Sequence, residues 1–161
     1  MIKRTASLLA LAAIAGLFFS YPSPTYPGTN TGVTLNRATP GCGLCHGSTP
    51  NAFGAIQIAF KCANSIQTGS NALATVAVTG GPATAKGGFS ADTDLGSFSA
   101  VSNCSVGNNG SAVSHTNSNN RTWAFRFGST KPGLARIHIS GMGSNGSGTG
   151  GDSWGWYGPD T

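Results

Sequence analysis

Glutamate is absent from this chain, and the whole acidic complement is 4 residues, all aspartate. That scarcity argues against the paired carboxylates that general acid–base catalysis uses. No Ser/His/Asp set stands out either, so an enzyme is not expected. Charged residues make up only 8% of the chain. The net charge is +5, two units of it from Lys3 and Arg4, and no run of Lys or Arg exists. A nucleic-acid footprint is therefore missing. Low charge together with 9% aromatic residues also argues against a chain disordered throughout. The region beyond residue 20 lacks a convincing 3.6-residue hydrophobic period, so a helical fold is not indicated. What is abundant is glycine, at 25 residues, with many Asn, Ser and Thr. Short apolar runs between such turn formers describe an exported all-β protein better than a cytosolic enzyme.

Cysteine is also sparse, at 4 residues, with 3 histidines. Two of those cysteines and one histidine fall in a single pentapeptide, Cys42-Gly43-Leu44-Cys45-His46. This is the attachment pattern of c-type haem. Each thiol adds to one vinyl group of the porphyrin, and the adjacent histidine becomes an axial ligand of the iron. A structural zinc site is the main competitor, but it wants a second close Cys/His pair. Cys62, Cys104, His115 and His138 are scattered along the chain. A plain disulfide is the other competitor.

Residues 1–20 read as an export signal or a retained apolar N-terminal segment. Lys3 and Arg4 form a basic start, and Leu8 to Phe19 is apolar. Ala13-Ile14-Ala15 matches a cleavage pattern but falls inside the apolar run, so the cleavage point stays open. The stretch is short for a membrane span, and no stable span is expected after processing. Residues 21–41 read as a Pro-rich extended arm, with Tyr21-Pro22-Ser23-Pro24 and Tyr26-Pro27-Gly28 excluding a helix. Residues 42–161 then form a haem-binding segment plus a sandwich domain. An extracellular or periplasmic location suits both covalent haem and disulfides. The leftover Cys62 and Cys104 read most simply as one disulfide, with two buried free thiols as the alternative.

Strands are indicated at 56–60, 74–79, 89–91 and 97–101 by short alternating or apolar runs. Arg121 to Phe127 is the clearest, with Trp123, Phe125 and Phe127 on one face. Leu134 to Ser140 is next, with Ala135, Ile137 and Ile139 facing in. Residues 106–120 read as loop broken by 113–116, and Gly141 to Gly151 as a glycine-rich loop before Trp154 and Trp156. Short strands separated by turn signals give an all-β fold, a β-sandwich.

From residue 42 the chain resembles a family of secreted bacterial monohaem c-type cytochromes whose C-terminal module is a reelin-like, or choice-of-anchor V, β-sandwich. The resemblance runs through Cys42-Gly43-Leu44-Cys45-His46-Gly47, Gly87-Gly88-Phe89, Gly96 and Phe98, Ser114-His115-Thr116, Trp123-Ala124-Phe125, Pro132-Gly133, Asn145-Gly146 and Gly151-Asp152. It implies an immunoglobulin-like sandwich with haem packed against one end. Cys62 and Cys104 depart from the family pattern, as does the segment 62–80.

With His46 as one axial ligand, the second is expected from His115, His138 or Met142. His115 sits in a polar loop and matches the family's Ser/Thr-His-Thr. His138 alternates with inward isoleucines, and Met142 follows a glycine turn. Arg126 and Arg136 are candidates to pair with haem propionates or are ordinary solvated arginines. Trp154 and Trp156 share a face and complete the core or lie beside the porphyrin. The expected function is electron transfer by one covalent haem c, cofactor-bound through Cys42, Cys45, His46 and His115. The partner is a redox protein or neighbouring copies of the chain, linked through the N-terminal arm into a filament. The alternative is an extracellular binding or sensor module in which haem is structural or takes small ligands.

Overall fold

The computed structural model describes residues 41–158. The apolar segment 1–20, the arm up to residue 40 and residues 159–161 lie outside the described residues. Among the described residues, no helix is long and apolar enough to cross a membrane.

The chain opens with one helical turn, α1 (Gly43–His46), and then runs through strands. These are β1 (Ile56–Lys61), β2 (Asn71–Gly80), β3 (Gly87–Thr93), β4 (Ser97–Ser102), β5 (Cys104–Gly107), β6 (Ala112–His115), β7 (Thr122–Gly128), β8 (Ile137–Gly143) and β9 (Ser153–Trp156). They form an all-β sandwich of two antiparallel sheets. One has the order β1-β2-β7-β4, the other β5-β6-β3-β8-β9. β4 and β5 are nearly continuous: the chain changes sheet at Asn103, whose φ of 53° turns it from one layer to the other.

Alternation builds the core between the layers. Ala74, Val76 and Val78 of β2 and Trp123, Phe125 and Phe127 of β7 face Phe89 and Ala91 of β3, Val113 of β6 and Ile139 of β8. Phe125 is fully buried at the centre. Its ring stacks on Phe89 at 5.7 Å and meets Phe98 edge-on at 5.3 Å. Such pairs add about 0.5–1.5 kcal/mol each beyond the burial of their area.

β8 differs from its expected span. It starts at Ile137 rather than Leu134 and continues through Gly141 to Gly143, which had read as loop. Leu134 is 84% exposed, and Gly133 before it holds a φ of 151°. Gly141 faces inward, where a Cβ would sit 2.8 Å from Val78 and 3.0 Å from Ile58. Glycine here is a packing requirement between layers, not a sign of loop.

The expected Cys62–Cys104 disulfide is not formed; all four cysteines are free thiols. The two lie in different sheets. Cys62 follows β1 of the four-stranded sheet, whereas Cys104 opens β5 of the five-stranded one and turns its thiol to the Ala124 carbonyl of β7 at 3.5 Å. Burial pushes the Cys104 thiol up to about 11, with a hydrogen bond to the Ala124 carbonyl pulling the other way. Burial raises Cys62 as well. Alkylation of the denatured, unreduced protein followed by peptide mass mapping should therefore find Cys62 and Cys104 both labelled. Finding both unlabelled before reduction and labelled after it would show that these residues are bridged.

Candidate haem site

Within β3, β8 and β9 every second residue faces away from the core. On the outer face of the five-stranded sheet this sets Gly88 opposite Met142 and Ser90 opposite Ser140, with Trp154 and Trp156 next to Met142 and Ser140. An outer sheet face is normally wet, yet Ser140 is 0% exposed, Trp154 3% and Met142 5%. Part of the cover is the segment that carries the pentapeptide.

That segment makes one helical turn. Leu44 N–H donates to the Gly41 carbonyl at 3.2 Å, and His46 N–H to the Cys42 carbonyl at 3.1 Å. Residues three and four apart on a turn share a side, so Cys42, Cys45 and His46 are grouped. The turn stops at Gly47, whose φ of 98° suits glycine. It lies flat on the sheet because its contact positions carry no side chain. A Cβ at Gly43 would collide with the indole of Trp154, and one at Gly41 would come within 2.7 Å of Ser140 Oγ and 2.9 Å of Trp156. Three hydrogen bonds fasten the arrangement. Cys42 N–H donates to Ser140 Oγ at 3.0 Å, Trp154 Nε1–H to the Gly47 carbonyl at 2.7 Å, and Asn51 N–H to the Trp154 carbonyl at 2.9 Å. Trp154 and Trp156 thus belong to this platform, not to the core between the sheets. The pentapeptide sits on the outer sheet face at the β9 edge.

Asp152, just before β9, completes the His46 environment. Its Oδ2 lies 2.7 Å from His46 Nδ1, and its Oδ1 accepts from Asn145 N–H at 2.7 Å. An ionised carboxylate only accepts, so Nδ1 carries the hydrogen and Nε2 is left for a ligand. Burial pushes the Cys42 thiol up to about 11, lowered in part by Ser140 and raised further by Cys45.

His115 ends β6 and turns its ring over Gly88, where a Cβ would come within 2.6 Å of it. Its Nδ1 is 3.0 Å from the Phe89 carbonyl and 3.2 Å from the Phe89 N–H. One nitrogen cannot serve both at once; in the tautomer that donates to the carbonyl, Nε2 is left over. Burial lowers the His115 pKa, the Phe89 carbonyl opposes this, and the nearby charge of His46 lowers it further. Its ring also lies 6.0 Å from that of Trp123, so His115 sits where the core meets the outer face at Gly88.

The other candidates fall differently. Met142 is buried in the floor, between Gly88 and Trp154 in the ladder. His138 shares the outer face, and its Nδ1 is buried without a hydrogen-bond partner. It stands four residues along β8 from Met142, about 13 Å away. Arg126 lies on the far face of the other sheet and donates to Asn71 Oδ1 at 3.1 Å. Arg136 is exposed beside Asp94, 3.8 Å away. Neither arginine reaches this platform. Asp152 and Ser140 were not singled out from the sequence, although Gly151-Asp152 was among the motifs noted. Among the described residues, no three His, Cys, Asp or Glu side chains converge to hold a metal ion by themselves.

Comparison with protein-family models, curated proteins and solved structures finds no match.

Two opposing effects predict the outcome of Gly43→Ala. Helix propensity favours alanine by about 1 kcal/mol, while overpacking against Trp154 costs about 1–3 kcal/mol. Urea unfolding should show net destabilisation with a changed tryptophan emission. A stabilised protein with unchanged emission would mean that the turn does not rest on Trp154.

Proposed function

We propose that the protein is an extracytoplasmic monohaem c-type cytochrome that passes single electrons. The observation that carries this reading is the helical turn that groups Cys42, Cys45 and His46 while Asp152 fixes the His46 ring with Nε2 left over. The residues fit the group. Both thiols share a side with the imidazole, neither is engaged in a disulfide, and His115 offers a second Nε2 from across the sheet.

Haem held here would supply a one-electron couple between ferric and ferrous iron. Cys42 and Cys45 would anchor it by thioether bonds, and His46 and His115 would be its axial ligands. The chain's own contribution is rigidity. Trp154, Trp156 and the Ser140 hydroxyl hold the turn on the sheet, and the Phe89 carbonyl orients His115. Were His46 and His115 both to hold the iron, the chain would leave it no position for substrate, which suits relay over catalysis. A relay needs a second redox centre close by, on another protein or on a second copy of this chain. The apolar segment 1–20 supports export, where covalent haem and its attachment chemistry belong.

Intact-mass analysis and a pyridine haemochrome spectrum of the protein purified from its native compartment test the reading directly. The expected result is the mass of one haem in excess, with a c-type spectrum; a colourless protein of unmodified mass would end it. For the axial pair, His115→Ala should convert a low-spin ferric spectrum to high-spin and let the ferrous form bind carbon monoxide. An unchanged low-spin spectrum would remove His115 as a ligand.

A further inference from the structure

Asp152 has a feature that simple anchoring of a loop does not require. Its side chain is fully buried, yet the nearest ionisable partner is His46, whose side chain keeps 24% exposure. A buried carboxylate is costly unless its oxygens are satisfied. Here each oxygen has one strong donor, Asn145 N–H on Oδ1 and His46 Nδ1–H on Oδ2, both at 2.7 Å. The loop is itself braced. Asn145 Nδ2 donates to the Gly150 carbonyl at 2.9 Å, and Asn145 Oδ1 accepts from Ser147 N–H at 2.8 Å. The carboxylate is therefore set in a fixed place before His46 meets it. His115 has a different partner at the same ring position, the neutral Phe89 carbonyl. The two histidines are thus unequal: one leans on a full negative charge, the other on a dipole.

We propose that Asp152 is the positioning residue of the axial ligand His46, directing its Nε2 outward and making it the stronger electron donor of the pair. A carboxylate behind a ligating imidazole raises its basicity. A more basic ligand favours the ferric over the ferrous state, so Asp152 biases the site toward the oxidised form. This deepens the cytochrome reading and rests on it.

Asp152→Asn tests it, because the amide keeps the shape and removes the charge. An amide oxygen can accept from only one of the two donors that Asp152 satisfies. The haem-loaded full chain is compared before and after substitution by spectroelectrochemistry. The haemochrome assay comes first: absence of haem from the unsubstituted protein overturns the cytochrome reading, and this proposal with it. With haem present and the low-spin spectrum retained, the ferrous-to-ferric ratio at a fixed applied potential should rise about tenfold. For a one-electron couple that equals about 59 mV. A change below about twofold would overturn the role of Asp152 while leaving the cytochrome intact. If the variant does not fold or loses low-spin ligation, nitrogen-15 NMR of the unsubstituted ferrous protein decides. A downfield, slowly exchanging proton on His46 Nδ1 supports the assignment; a rapidly exchanging one overturns it.

Discussion

The contact between bare backbone at Gly41 and Gly43 and the indole rings of Trp156 and Trp154 sets the position of Cys42, Cys45 and His46. A helical turn of four residues has almost no stability of its own. It persists here because it lies against two large aromatic rings, 6.0 Å apart and roughly perpendicular. Any side chain at Gly43 would lift the turn off that surface. With the turn in place, Cys42 reaches Ser140, His46 reaches Asp152 and Gly47 meets the Trp154 N–H. These bonds are short-range, so a displacement of one ångström at the contact would break several together.

The sandwich supplies the rigid platform. Its core is conventional in composition, with Phe125 packed among Phe60, Phe89 and Phe98. Less usual is the second buried layer on the outside of the five-stranded sheet, where Ser140, Met142 and Trp154 are shielded from water. One sheet thus has two dry faces, and glycine and serine are interspersed among the large residues of the strands shared between them. β8 is the clearest case. Gly141 admits Ile58 and Val78 from one side, while Ser140 and Met142 support the site from the other.

Much of the fold was legible in the sequence because one-sided burial leaves a period of two. The runs at 56–60, 74–79 and 122–127 alternate clearly and are strands. Where both faces are buried the alternation fades, and there the reading failed. Gly141 to Gly143 looked like loop because glycine carries no hydrophobic signal. Trp154 and Trp156 were assigned to a shared face, but sequence could not say which side of the sheet it was. The pentapeptide was legible at once, since its chemistry is local. His115 stood out through its neighbours, Ser114 and Thr116. Asp152 did not, because its meaning depends on a residue 106 positions away. One signal was available: an acid among only four, set at the end of a glycine-rich loop and followed at once by a tryptophan strand. The Cys62–Cys104 bridge is not formed in this structure, for the converse reason. Counting cysteines says nothing about which sheet each one occupies.

The Asp152 hydrogen bond joins one end of the described chain to the other. Closures that span so much sequence form late, after the intervening loop has been drawn together. Trp154, on which the turn rests, belongs to the strand that follows Asp152. The pentapeptide therefore gains its fixed geometry only when β9 docks, and β9 is the latch of the turn.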